Sequence, residues 1–156
     1  MPLLFVRHGH AGRRSAYKGD DRTRPLSKRG RAQGKELVGL LGEYRPQRIL
    51  SSPYVRCCET VQPTAVALGL PVESIEELAE GHGPDTVRLM RRMAGEAAVL
   101  CSHGDVALSV LEAFGGPEED GPARLQKGEV WVVQSKGSKL VIVDRLRPGT
   151  PTGPKA

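Results

Sequence analysis

Aromatic side chains make up only 4% of this 156-residue sequence, with one Trp, three Tyr and two Phe. That is too few to build the stacking platform on which proteins bind single-stranded nucleic acid, so nucleic acid is not the expected partner. Cysteine is scarce as well. Cys57, Cys58 and Cys101 are an odd number with two adjacent, a poor disulfide framework, and no Cys-x-x-Cys pair offers zinc-ligand spacing. Free thiols, buried or partly buried in a reducing cytoplasm, are the expectation. Long apolar runs are missing too: nothing approaches the roughly 18–20 residues needed to span a bilayer. The N-terminus lacks the basic region, apolar stretch and small-residue cleavage site of an export signal. These absences point to a cytoplasmic protein with no membrane partner, no metal and no cofactor.

What remains is an ordinary globular composition, 38% hydrophobic and 26% charged. The length fits one domain over residues 1–147, followed by a Pro-, Gly- and Thr-rich tail at 148–156 that is expected to be disordered. The formal net charge is +5, and its excess is unevenly placed. Arg13, Arg14, Lys18, Arg22, Arg24, Lys28, Arg29 and Arg31 are eight of the 23 Lys and Arg, opposed locally by Asp20 and Asp21. The basic segment 13–31 attracts polyanions by Coulomb steering, and it serves a phosphorylated substrate, a nucleic acid or only a solvated face.

The pattern along the chain alternates strands and helices. Residues 3–7 (LLFVR) read as a wholly apolar strand, the kind covered on both faces. Residues 11–25 read as a polar, basic loop. Ser27 can cap a helix running to Tyr44, with Leu37, Leu40, Leu41 and Tyr44 on one face. Residues 48–51 form a strand, and Ser52-Pro53 starts a helix that should kink or break near Pro63 and end by Gly69. A short strand at 71–75, a helix at 85–93 and an apolar strand at 97–102 follow. Asp105 can cap a helix through Phe114 that Gly115-Gly116 terminates. Two closing strands, 129–134 and 139–145, are joined by a Lys136-Gly137-Ser138 turn. There are no internal repeats. The sum is a three-layer α/β/α domain with a mostly parallel sheet, in which ligands sit beyond the carboxyl ends of the strands.

Three stretches deliver chemistry to that edge: "RHG" at 7–9, "SSPYVRCCET" at 51–60 and "SHGD" at 102–105. Each follows a strand. Arg56 falls in the first turn of its helix and His103 just before another, where free backbone N–H groups favour an anion. Two arginines, two imidazoles and two helix starts converging on one point make a phosphate pocket.

Together these motifs resemble the histidine phosphatase superfamily, with its phosphoglycerate-mutase-like fold. The resemblance rests on Arg7-His8-Gly9, on Ser51-Ser52-x-x-x-Arg56 followed by Glu59-Thr60, and on Ser102-His103-Gly104. "RPLSKRGRAQ" at 24–33 is similar to the family's helix start, and the likeness covers roughly residues 3–116. It implies that His8 is the nucleophile, forming a phosphohistidine that water hydrolyses, and that Arg7, Arg56 and His103 clamp the phosphate. The family's general acid maps onto Glu80, in Leu78-x-Glu80. Asp105 is a helix cap first and a candidate acid second, and His10 and His82 are expected to be exposed rather than catalytic. The chemistry is coherent, because a neutral imidazole is a competent nucleophile near pH 7 and guanidiniums clamp phosphoryl oxygens bidentately.

The chain also departs from the pattern. It is short, leaving little room for the inserted helices that form a specificity lid, and Arg14 stands near the place of the asparagine that often follows "RHG". Its size and basic loop are similar to the small SixA-like branch of phosphohistidine phosphatases, and to the phosphatase domain that follows a Nudix domain in some actinobacterial nucleotide-sanitising proteins. The reading is a metal-independent phosphatase acting on a phosphohistidine protein or on a small phosphorylated metabolite or nucleotide. The alternatives are a phosphoglycerate-mutase-type phosphotransferase and a non-catalytic phosphate- or nucleic-acid-binding module. The sequence sets no oligomeric state.

Overall fold

The structure is a computed structural model that describes residues 1–115 and 124–149. In chain order the elements are β1 (Leu3–Arg7), α1 (Lys28–Gly42), β2 (Arg48–Ser51), α2 (Val55–Leu68) and β3 (Val72–Ser74), then α3 (Gly83–Arg92), β4 (Ala98–Ser102), α4 (Gly104–Phe114), β5 (Val130–Lys136) and β6 (Lys139–Leu146). The strands form one sheet in the order β3-β2-β4-β1-β5-β6. The first four are mutually parallel, while β5 runs antiparallel to β1 and closes the edge in a hairpin with β6. The expected mostly parallel α/β/α architecture is therefore present.

Alternation along the strands decides the layers. Successive side chains point to opposite faces. Leu3 and Phe5 of β1, with Ala98 and Leu100 of β4, meet the apolar sides of α3 and α4, including Met90, Val106 and Val110. Leu4 and Val6, with Val99 and Cys101, meet α1 and α2 through Leu37, Leu41, Cys57 and Val61. An all-apolar strand is what two covered faces require. Trp131 of β5 is fully buried beside Phe5, ring centroids 6.2 Å apart.

β1 and β4 are neighbours whose chains leave their carboxyl ends toward opposite faces, β1 into α1 and β4 into α4. That divergence opens the crevice where ligands bind in such sheets.

Local expectations failed in four places. Pro63 does not break α2, which runs over Val55–Leu68 and ends on Gly69 in the left-handed conformation expected of it (φ 68°). The helix is held by tertiary packing, with Thr60, Val61, Thr64 and Ala65 all buried, and packing outweighs the lost donor. Ser52 does not cap α2: the helix starts at Val55 after Tyr54, because the Ser52 hydroxyl is committed to His103. Asp105 does not cap α4 either. Its carboxylate accepts from the Gly81 amide at 2.8 Å, and His103 occupies the cap position. The 11–25 loop is not irregular throughout, since single 3-10 turns stand at Arg14–Ala16 and Asp21–Thr23. Pro148 and Gly149 lie in a turn, while Gly116 and the rest of the predicted tail lie outside the described residues.

Candidate active site

Close backbone approach shapes the turn that carries His8. A Cβ on Gly30, in the first turn of α1, would stand 2.0 Å from the His10 carbonyl oxygen, so only glycine lets the helix abut the turn. The Gly9 amide donates to the Thr60 hydroxyl at 3.0 Å, and that hydroxyl donates to the Arg56 carbonyl at 2.7 Å. The Gln33 amide oxygen accepts from the His10 N–H at 2.8 Å, and the Glu59 carboxylate accepts from the Leu26 N–H at 2.8 Å. Thus "CCET" and "RPLSKRGRAQ" act as braces that fix the "RHG" turn to two helices.

His8 is buried, 6% exposed. Its Nδ1 lies 2.8 Å from the Gly9 carbonyl oxygen, which can only accept, so Nδ1 carries the hydrogen and Nε2 keeps its lone pair. That lone pair faces the Nε–H of Arg56 at 3.3 Å. The His103 ring stands edge-on, 5.4 Å between centroids. Ser52 Oγ accepts from the Tyr54 amide at 3.2 Å and pairs with His103 Nε2 at 2.8 Å. We assign the Ser52 hydroxyl as donor to Nε2, which puts the His103 hydrogen on Nδ1. That Nδ1 is buried without a partner among the described residues, and so is Nε of Arg7, whose NH1 is anchored on the Leu125 carbonyl at 2.8 Å. Buried donors without acceptors are rare and costly. Both belong to side chains that line one cavity with His8, and donors of this kind suit an oxyanion.

Burial lowers the His8 pKa to about 3, with the Arg56 and Arg7 charges adding to the effect and the Gly9 hydrogen bond opposing it. Burial likewise lowers His103 to about 2, followed by the influence of His8 and Arg56. Both rings are neutral at pH 7. The Arg7 guanidinium is pushed below its usual value by burial and then by Arg124.

Arg7, His8, Arg56, Glu80 and His103 all line a single cavity of about 460 Å³. Five side chains singled out in the sequence thus come together. Glu80 is one-third exposed, and both its carboxylate oxygens accept from Arg14 NH2, at 3.0 and 2.8 Å; it also lies 3.6 Å from Arg56. His10 and His82 are half-buried rather than exposed, hydrogen-bonded to Ser27 and Asp85 respectively.

Sequence reasoning missed Asp21 as a member of the site. Its carboxylate bonds Arg24 at 2.9 Å and Arg56 at 3.1 Å and lies 3.3 Å from Arg14, while its carbonyl accepts from Arg56 NH1 at 2.8 Å. Burial would raise its pKa, but the bonds to Arg24 and Arg56 more than offset this and the pKa is lowered. The available signal was its position, an acid inside the most basic segment of the chain. Ser52 and Lys127 were also missed; Lys127, on the cavity wall, carries no local motif. Among the described residues no group of three or more His, Cys, Asp or Glu is placed to hold a metal ion, and no helix is long and apolar enough to cross a membrane.

Comparison with known proteins places this arrangement. The family profile described as histidine phosphatase superfamily (branch 1) matches residues 3–86. The 8-oxo-(d)GTP phosphatase of Mycolicibacterium smegmatis is 39% identical over 158 residues, covering 94% of this chain and 48% of that protein. This chain thus spans about half the length of that curated relative. Among solved structures, the protein histidine phosphatase SixA complexed with tungstate aligns with a TM-score of 0.75 at 24% identity, over 95% of this chain and 97% of that one. The α-ribazole phosphatase from Shigella flexneri gives a TM-score of 0.73 at 17% identity, with 100% of both chains covered. At such identities these two structures establish the fold alone. The family match spans more than half of the 156 residues, and on that ground the chain belongs to the histidine phosphatase superfamily, branch 1.

Proposed function

We propose that this chain is a phosphatase working without a metal, through a phosphohistidine on Nε2 of His8. The observation that carries the reading is the fixed tautomer: Nδ1–H is tied to the Gly9 carbonyl, so Nε2 keeps the lone pair, which meets Arg56 Nε–H at 3.3 Å in the cavity that Arg7 and His103 also line. Nε2 attacks phosphorus, the new P–N bond forming as the bond from phosphorus to the leaving atom breaks. Arg7, Arg56 and His103 hold the phosphoryl oxygens, and charge of this kind supplies most of the acceleration in phosphoryl transfer. Glu80 takes up a proton as the substrate binds, gives it to the leaving atom, and its carboxylate then takes a proton from the water that displaces phosphate from His8. The incoming dianion competes for Arg14 and Arg56 and so frees Glu80 for this exchange.

The substrate is a phosphorylated small molecule, with a nucleotide favoured by the 39% identity to an 8-oxo-(d)GTP phosphatase. A phosphohistidine protein is the second reading, supported by the SixA likeness in fold. Free thiols at Cys57, Cys58 and Cys101 fit a reducing, cytoplasmic setting.

Phosphate release from nucleotides, sugar phosphates and a phosphohistidine protein, measured side by side for the native chain and Glu80→Gln, tests both substrate and acid. An alkoxide leaving group needs a proton in the transition state, so Glu80→Gln should lose on the order of 10²–10⁴-fold on alkyl monoesters. In kcat/KM, which reads the steps up to phosphorylation of His8, aryl esters with good leaving groups should be largely spared. Equal losses in kcat/KM on both would remove Glu80 from the acid role, and no phosphate release from any substrate would refute the reading.

A further inference from the structure

Beside the His8 cavity lies a second one of about 330 Å³, lined by Arg7, His10, Arg29, Gln33, Gln126 and Lys127. Arg7 and Lys127 line both cavities. The charge in the two is differently balanced. In the first, Arg14, Arg24 and Arg56 are each within ion-pair distance of Asp21, and Arg14 and Arg56 also of Glu80. In the second, no carboxylate among the described residues stands within 4.0 Å of Arg7, Arg29 or Lys127.

The walls of this second cavity are fixed rather than loose. Gln33 spans it, accepting from the His10 amide at 2.8 Å and donating to the Lys127 carbonyl at 3.3 Å. A Cβ on Gly128 would come within 3.1 Å of Gln33, so the backbone carrying Lys127 is pressed against α1. Burial, and after it the charges of Arg7, Arg24, Arg29 and Arg56, lower the Lys127 pKa. Holding like charges together destabilises a fold unless a ligand neutralises them.

We propose that Arg29 and Lys127, with Arg7 between the two cavities, form a subsite for a second phosphate group carried by the molecule whose first phosphate goes to His8. This rests on the proposed phosphatase site and narrows its substrate to doubly phosphorylated small molecules. One phosphate is already met by Arg7, Arg56 and His103; a singly phosphorylated substrate would leave Arg29 and Lys127 without a counter-ion. The second phosphate comes either from an anhydride-linked diphosphate or from a phosphate elsewhere on a bisphosphate.

Calorimetric titration of the full chain with inorganic pyrophosphate and with orthophosphate tests the subsite without turnover. The native chain should bind pyrophosphate at least about tenfold tighter than orthophosphate, the worth of one charge-assisted hydrogen bond. In the Arg29→Met/Lys127→Met double variant that advantage should vanish. Both positions are at least partly exposed, so folding is checked by an unchanged melting temperature; if the double variant melts early, Arg29→Met alone should cut the advantage several-fold. Turnover of a nucleoside 5′-diphosphate and of a nucleoside 3′,5′-bisphosphate then tells which source the subsite serves. Equal affinity for the two anions, or an advantage that survives both substitutions, overturns the subsite. Absence of any phosphohistidine on His8 would instead overturn the phosphatase mechanism, so the two failures are separable.

Discussion

His8 and His103 are held neutral inside a ring of arginines, and their titration is the residue-scale property most open to measurement. Their folded pKa values, about 3 and about 2, lie below the roughly 6.5 of an unfolded imidazole. Between pH 6.5 and 3 the unfolded chain therefore binds more protons than the folded one, and stability must fall as pH falls through that window. The lowered Asp21 pKa acts in the same direction toward its acid end. Melting temperature should drop progressively from pH 6.5 to 4, and His103→Gln should flatten the slope. A melting temperature that stays constant over that interval would contradict the burial of two neutral rings. At this scale the sequence was legible where a residue type is demanded by chemistry: His8, Arg7, Arg56, Glu80 and His103 do line one cavity. It was opaque where the role depends on who the neighbour is. Asp21 reads as a surface acid until the 3-10 turn lays it against Arg56, and Ser52 reads as a cap until His103 claims its hydroxyl.

Elements position these residues through glycines as much as through caps. Gly104 opens α4 directly over Arg7: a Cβ there would stand 2.8 Å from the guanidinium carbon. Gly104→Ala should therefore displace a flexible side chain, lowering kcat/KM by about tenfold while barely moving the melting temperature, as expected when a transition-state donor is shifted. Gly30→Ala meets backbone instead, so it should destabilise the fold by about 1–3 kcal/mol, read from chemical denaturation. The opposite pattern, with Gly104→Ala unfolding and Gly30→Ala inactive but stable, would contradict this division. Element type and order were readable because strands buried on both faces are apolar throughout and α1 is amphipathic around a Ser27 cap. Helix boundaries were not, because Pro63 sits in a helix fixed by burial on α1, and Asp105 is drawn to the Gly81 amide across the crevice. Local rules see neither partner.

For the whole molecule, the sheet order brings the carboxyl ends of β1 and β4 together and the long β1–α1 connection folds its basic residues over them. The resulting field should steer anions. Raising ionic strength should lower kcat/KM, and neutralising Arg13 and Lys18 together should reduce that dependence, since exposed charges act over a Debye length of about 8–10 Å. A salt response identical in native and variant chains would make the basic segment a solvated face only. The central claim is the covalent role of His8, and one measurement addresses it directly. The chain is mixed with a labelled phosphomonoester, quenched in base during turnover, digested and mapped. The account predicts an acid-labile, base-stable phosphate on the peptide containing His8, absent from a folded and inactive His8→Ala chain. Undiminished turnover in His8→Ala, or label on any other residue, would contradict it.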